Sequence, residues 1–127
     1  MSTAALKQAV CAIVRQGDLF LGVTRKDNHQ DWGLCGGKVE ADDPSLELAI
    51  IREAKEETGL DLVNLELVDT REWGGYQQHC YLAQARGRIH FDRAREPHLV
   101  EWISADKLLA GSFGEYNGEI LAMLGLL

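Results

Sequence analysis

Three glutamates with helical spacing are the residues of this sequence best suited to chemistry. Glu53, Glu56 and Glu57 stand at positions i, i+3 and i+4, so a helix would place their carboxylates on one face. Like charges at this spacing destabilise an isolated helix by roughly a few tenths of a kcal/mol per pair unless a cation compensates. Mg²⁺ prefers such hard oxygen ligands and completes its shell with water and substrate phosphates. The face is either a solvated acidic surface with Arg52 and Lys55 as partners, or a metal site for a phosphate-bearing substrate.

The charge distribution concentrates negative charge around these glutamates. The 127 residues carry 13 Lys and Arg against 20 Asp and Glu, a net charge of −7. Residues 40–61 hold eight acids and two bases, a local net of −6. This balance argues against extended nucleic acid as a partner, because such binding depends on basic residues that neutralise phosphates.

Length and hydropathy define the class of protein we expect. A chain of 127 residues is the size of one domain, so we expect a single domain over residues 1–127. No apolar run approaches the ~18 residues that cross a bilayer, which predicts no membrane association. Residues 1–10 lack the basic start and long apolar stretch of a signal peptide, so we expect a cytoplasmic location.

The spacing of apolar and turn residues predicts alternating strands and helices, and therefore an α/β fold. A helix is predicted after an acidic cap at Asp42 and Asp43, with Pro44 in its first turn and Gly59 as its stop. Of the four histidines, only His79 stands out, because it interrupts an apolar strand. The other predicted elements are strands at 8–15, 19–24, 62–69, 78–85, 88–91 and 100–103, a loop over 25–44 around a short strand at 32–35, a turn at 73–75, and helical segments at 104–109 and 115–124.

A glycine pair followed by a lysine lies upstream of the helix. Gly36 and Gly37 would allow the backbone to approach a ligand or to turn tightly, and Lys38 could contact phosphate. The P-loop pattern is excluded, because it would need glycine in place of Trp32 and serine or threonine in place of Val39.

Together these residues resemble the signature of the Nudix hydrolases. Gly37 is followed by Arg-Glu-Ala-Lys-Glu-Glu-Thr-Gly-Leu at 52–60, which agrees with the second half of that signature at every defined position. The intervening loop is one residue longer than in the family. The family's first glutamate is therefore replaced by Asp43 when aligned from the glycine, or by Pro44 when aligned from the helix. We assign its role, the support of Arg52, to Asp43.

The resemblance implies an α/β/α sandwich around a mixed sheet and a hydrolase that cleaves a nucleoside diphosphate linked to another group, with Mg²⁺ or Mn²⁺. Glu53, Glu56 and Glu57 would be metal ligands, and one of them would orient or deprotonate the attacking water. Arg52 would anchor the loop by pairing with a carboxylate. Glu96 is the candidate for a further metal ligand from outside the signature. Its rival is Glu101, which can point inward only if Trp102 points outward, because neighbouring strand residues face opposite sides.

The resemblance specifies the substrate less closely than it specifies the reaction and the metal ligands. Asn117 is placed as in the MutT-type enzymes, where an asparagine reads the guanine edge, and with the small size of the chain it favours a nucleoside triphosphate, such as an oxidised deoxynucleotide, as the small-molecule partner. Gly36, Gly37, Lys38 and Arg25 are further candidates for substrate binding, and Trp32, Trp73, Tyr76 and Tyr81 are candidates for stacking on a base. ADP-ribose, another nucleotide sugar or a dinucleoside polyphosphate would suit the same metal site. A non-catalytic nucleotide-binding regulatory module is the alternative from another class, and a homodimer is also left open.

Overall fold

A computed structural model describes residues 6–127. The first five residues lie outside the described residues; they belong to the segment 1–10, for which no signal peptide was predicted. The chain forms seven strands and three helices over the described part. In chain order they are β1 (Lys7–Gln16), β2 (Leu19–Thr24), β3 (Trp32–Gly33), β4 (Cys35–Lys38), α1 (Leu46–Thr58), β5 (Asp61–Trp73), β6 (Tyr76–Arg86), β7 (Val100–Ile103), α2 (Ala105–Ala110) and α3 (Gly114–Met123).

Strand β1 is the centre of a mixed sheet. It pairs in parallel with β6 and antiparallel with β2 and β4, while β5 pairs with β6, and β3 and β7 pair with β2. The six residues 9–14 are buried in succession, as expected for a strand that is covered on both faces. Val10, Ala12 and Val14 pack with α1, whereas Cys11 and Ile13 pack with the side chains of α2 and α3. The predicted α/β/α sandwich around a mixed sheet is therefore confirmed.

Helix α1 begins at Leu46, two residues later than a cap at Asp43 would place it, so Pro44 precedes the helix and is not in its first turn. Ser45 is the N-cap, and its hydroxyl accepts a hydrogen bond from the N–H of Leu48 at 3.1 Å. The predicted acidic cap is wrong, because the carboxylate of Asp43 is already bound by Arg52. The helix ends as predicted at Gly59, which takes the left-handed conformation with φ of 80°.

Two predictions about irregular segments are also wrong. Residues 88–91 form a loop and not a strand: the N–H of His90 donates to the carbonyl of Thr58 at the end of α1, and Ile89 and Phe91 pack on the α1 side of the core. Residues 36–38, predicted within a loop, belong to β4 and pair with β1. The reason is that hydrogen-bond partners distant in sequence determine both conformations.

Strands β5 and β6 are longer than predicted and meet in a tight hairpin. The two residues between them are Gly74 and Gly75, with φ of 60° and 83°, the left-handed geometry that a two-residue hairpin turn favours. The helical segments near 104–109 and 115–124 are confirmed to within one residue. None of the helices formed by residues 6–127 has the length and apolar character needed to cross a membrane.

Candidate active site

The last turns of α1 hold the three glutamates against strand β4. Their surroundings differ, since the Glu53 side chain is 14% exposed and that of Glu56 is 51% exposed. Glu57 accepts a hydrogen bond at its Oε1 from the backbone N–H of Gly36, at 2.9 Å. The helix thus presents one open and two sheltered carboxylates; their spacing predicted the shared face and not the difference in burial.

Gly36 and Gly37 allow this close approach between helix and strand. A Cβ atom on Gly37 would lie 2.6 Å from the Cδ of Glu53, and one on Gly36 would lie 2.2 Å from the carbonyl oxygen of Val10. Neither residue has the positive φ of a tight turn. The expectation of a turning loop is therefore corrected: these glycines lie in a paired strand, where Gly37 leaves room for the carboxylate of Glu53 and Gly36 allows the close approach of β1.

Arg52 links the helix to the preceding loop. Its Nε and Nη2 donate to the two carboxylate oxygens of Asp43, each at 2.8 Å, in the bidentate geometry that arginine favours. Nη1 donates to Glu53 at 3.0 Å and to Glu56 at 3.3 Å. The hydrogen bonds from Arg52 hold the pKa of Asp43 down at about 2. The pairing of Arg52 with Asp43 is confirmed, while a catalytic role for Arg52 stays a prediction.

Burial raises the pKa values of two carboxyl groups in this face. The pKa of Glu57 rises to about 8, mainly because the group is desolvated, with further contributions from the negative charges of Glu53 and Glu96. The pKa of Glu53 is also raised by burial, against the opposing effect of Arg52. Carboxylates that are costly to ionise here would be stabilised by a cation.

Glu96 lies next to this acidic face, held by two residues that sequence reasoning missed. Its Oε2 is 3.2 Å from the Nζ of Lys26 and 3.6 Å from the Nδ1 of His98. His98 is buried, and its Nε2 donates to the carbonyl of Glu57 at 2.8 Å. The only signal for His98 was its position two residues after Glu96. Glu101 is exposed on β7, so the structure favours Glu96 over this rival.

The donor set fits a hard divalent cation by its chemistry, because Glu53, Glu56, Glu57 and Glu96 all offer carboxylate oxygens. No three His, Cys, Asp or Glu side chains within residues 6–127 already stand in an arrangement that could hold a metal ion. Glu53 and Glu56 are instead bound to Arg52, and Glu57 to Gly36. Metal binding would therefore require these side chains to leave their present partners.

A cavity of about 320 Å³ lies on the other side of β4 from α1. Gly36, Gly37 and Lys38 contribute to its wall, together with Asn117 from α3. The side chain of Asn117 is 2% exposed, and its Nδ2 has no hydrogen-bond partner among the residues that the structure describes. The remaining lining is mainly aromatic and apolar, and includes Trp73, Tyr76, Phe113 and Tyr116.

The other predicted binding residues lie elsewhere. Trp32 and Tyr81 are buried in the two halves of the core and do not line this cavity. His79 is buried between Thr70 and Gln8, with a hydrogen bond to each, and so has a structural role. Arg25 is exposed beside Asp27, at 3.5 Å, and is not in the wall of the cavity. The structure thus brings Lys38 and Asn117 together at one cavity but leaves Arg25 outside it.

The pattern that defines the NUDIX domain matches residues 5–124 of this chain. The chain belongs to the Nudix family. The expected membership in the Nudix hydrolase superfamily is therefore confirmed. A Caenorhabditis elegans protein that carries the name nudix hydrolase 1 is 31% identical over an alignment of 109 positions that covers 80% of this chain. The chain spans 30% of the length of that curated relative.

Solved Nudix structures share the fold. A MutT structure, from work on the proteins of Aliivibrio salmonicida and Vibrio cholerae, has a TM-score of 0.71 and 24% identity, covering 92% of this chain and 98% of its own. An ADP-ribose pyrophosphatase from Streptococcus suis has a TM-score of 0.71 and 23% identity, covering 94% of this chain and 89% of its own. At these identities the likeness supports the fold and does not distinguish between substrates.

Proposed function

We propose that this Nudix protein is a divalent-cation-dependent pyrophosphohydrolase that converts a nucleoside triphosphate to its monophosphate and pyrophosphate. The observation that carries the proposal is the position of β4. Its residues Gly36 and Gly37 contact the glutamates of α1 and also form part of the wall of the aromatic cavity. A nucleotide whose base occupies that cavity would have its phosphates close to the acidic face.

Glu53, Glu56, Glu57 and Glu96 would hold Mg²⁺, and Mn²⁺ would suit the same oxygen donors. When bound, the cation would lower the pKa of water and neutralise charge on the phosphoryl oxygens. In the proposed reaction, water attacks one of the two phosphorus atoms joined by the α–β bridging oxygen of the triphosphate. The bond between that phosphorus and the bridging oxygen breaks, and one of the α1 glutamates accepts a proton from the water. Pyrophosphate and the nucleoside monophosphate leave.

Other residues of the chain would position these groups. Arg52 joins Asp43 to the glutamates and so fixes the loop before α1. Lys38, whose Nζ lies 5.7 Å from the centroid of the Tyr76 ring at the cavity, would neutralise phosphate charge. His98 would hold Glu57 and Glu96 in place through its two ring nitrogens.

Asn117 supports a base-reading role for the cavity. Its Nδ2 is a buried donor without a partner within the described part of the chain, and leaving such a donor unpaired costs about 1–3 kcal/mol. A purine edge would supply the missing acceptor, and the aromatic lining would stack on the ring. A role for Arg25 in phosphate contact, a cytoplasmic location and a homodimer remain predictions.

The deciding experiment incubates purified protein with Mg²⁺ and a panel of ordinary and oxidised nucleoside triphosphates, ADP-ribose, nucleotide sugars and dinucleoside polyphosphates. Products are resolved by chromatography, and Glu56→Gln is compared with Glu47→Gln, the same change in the first turn of α1, where the residue is also exposed. We expect pyrophosphate release from a triphosphate, lost in Glu56→Gln and kept in Glu47→Gln.

Each alternative has its own outcome in this panel. Hydrolysis of ADP-ribose, a nucleotide sugar or a dinucleoside polyphosphate would keep the metal site and replace the substrate. Tight nucleotide binding without turnover of any compound would overturn the enzyme proposal in favour of a regulatory module. Equal rates for Glu56→Gln and wild type would remove Glu56 from the mechanism.

A further inference from the structure

Strands β1 and β6 separate before they end. Their parallel pairing runs from Lys7 and Tyr76 to Val14 and Ala83, but β1 continues to Gln16 and β6 to Arg86. The last residues of β1 pair only with β2, and those of β6 pair with β5. The carboxyl ends of these two neighbouring parallel strands therefore have a cleft between them.

This cleft opens into a second cavity, of about 540 Å³, which shares no lining residue with the first. The first cavity lies at the amino ends of β1 and β6, and the second at their carboxyl ends, with residues 14–16 on one side and residues 84–86 on the other. The second cavity is thus separate from the candidate active site. A crevice beyond the carboxyl ends of parallel strands is a common position for ligands in α/β sheets.

The charge of the second cavity is opposite to that of the protein. Arg15, Arg86 and Arg88 line it, and no Asp or Glu does, although the chain has a net charge of −7. None of the three arginines takes part in an ion pair with another residue of 6–127. Asp61, the strand partner of Arg86, is instead 3.0 Å from Lys55. The cavity therefore holds exposed cationic groups whose counter-charge residues 6–127 do not supply.

The remaining lining suits a polar ligand with a planar part. Gln16 and Gln84 add amide groups on opposite sides of the cleft, and the half-buried Trp102 adds an aromatic surface. The Arg15 guanidinium lies 5.7 Å from the centroid of the Phe20 ring, which is outside the lining, and this contact does not use its N–H donors. Arginine offers these donors in a planar fork that matches phosphate oxygens.

We propose that this arginine-lined cavity binds a phosphate-bearing small molecule at a second site, outside the candidate active site. The shared chemistry is a group with at least two phosphates, supplied either by inorganic pyrophosphate or by a nucleoside diphosphate. The arginines provide the affinity, and their separation from the glutamates makes binding independent of a divalent cation.

The test titrates inorganic pyrophosphate into the metal-free protein, in EDTA, by isothermal titration calorimetry. Arg86→Gln is compared with Arg95→Gln, which removes the same charge from an exposed residue outside the cavity. We expect one binding event that Arg86→Gln weakens by about tenfold and Arg95→Gln leaves unchanged, because only Arg86→Gln removes charge-assisted hydrogen bonds to the phosphate oxygens. Glu56→Gln should bind like wild type, which distinguishes this site from the proposed active site whether or not the enzyme turns over.

A second measurement does not depend on the variants. In the presence of pyrophosphate, the chemical shifts of the Gly87 backbone amide and of the Trp102 indole N–H should change. The shift of the Gly37 backbone amide should remain unchanged. Absence of binding, equal weakening in Arg86→Gln and Arg95→Gln, or shift changes confined to Gly37 and its neighbours would each overturn the proposal. Titration of a nucleoside diphosphate in the same way distinguishes the two sources of the phosphate group. An affinity equal to that of pyrophosphate assigns the site to pyrophosphate, and a higher affinity assigns it to nucleotides. Either result supports the proposed site.

Discussion

The backbone N–H of Gly36 donates to Oε1 of Glu57 at 2.9 Å, although 21 residues separate them along the chain. Gly36 pairs with Cys11 in the sheet and lines the aromatic cavity. One residue of a central strand is therefore in contact with both a buried carboxylate of the acidic face and the space proposed for a nucleobase. The four predictions that follow test the residues around this connection.

Gly37→Ala should impair catalysis more than folding. The added methyl group would meet the carboxylate of Glu53 at 2.6 Å, and this flexible end of a side chain can move at small cost to stability. We expect a fall in kcat of about tenfold or more with a small change in the unfolding temperature. Gly118→Ala is the control, because its methyl group would meet only the side-chain end of Leu109, at 3.1 Å, and Gly118 does not line the cavity. Equal activity of the two variants would contradict this account of Gly37.

Asp43→Asn should remove an acid-dependent contribution to stability. Hydrogen bonds from Arg52 hold the pKa of Asp43 at about 2, below its ordinary value of 3.8. A lowered folded-state pKa stabilises the protein above roughly pH 4, and this stabilisation is lost as the pH falls towards 2. The unfolding temperatures of wild type and Asp43→Asn should therefore differ at pH 7 and converge near pH 2. Asp42→Asn, a change at an exposed neighbour, is the control, and a gap that stays constant with pH would exclude the ion pair as its cause.

His98→Leu should lower both stability and turnover. The substitution leaves the carbonyl of Glu57 without its donor, which costs about 1–3 kcal/mol in the free energy of unfolding. His98→Gln retains a donor and should recover part of kcat, which a role in packing alone would not explain. The exposed His90→Gln is the matched control and should behave like wild type in chemical denaturation and in assays of turnover. Identical kinetics for His98→Leu and wild type would reject its positioning role.

Asn117→Leu should move stability and specificity in opposite directions. Replacing a buried donor that has no partner removes its desolvation penalty, so the free energy of unfolding should rise by about 1 kcal/mol. Loss of the amide should reduce discrimination between purine bases, measured as the ratio of kcat/KM values, by about 1–3 kcal/mol. A uniform fall in kcat/KM for all bases would show that Asn117 supports the cavity without reading the base.

Helix α1 and its glutamates were predictable because the interactions that form them are local. The 3.6-residue period and the stop at Gly59 act within a few residues, and the Arg52–Asp43 pair spans only nine positions. The signature could therefore indicate which side chains share a face. It could not indicate how deeply each is buried, since the exposures of Glu53 and Glu56 depend on β4.

The amino-acid sequence was enough to predict helix α1, the identity of its carboxylates and membership in the Nudix family. The tertiary structure alone decided that residues 36–38 form a strand, that 88–91 do not, and that His98 reaches Glu57 across 41 residues. It also decided where the two cavities lie, because a sheet brings distant segments into register. The physical reason is that strand pairing and burial depend on partners far away in the chain, whereas helix periodicity depends on neighbouring residues.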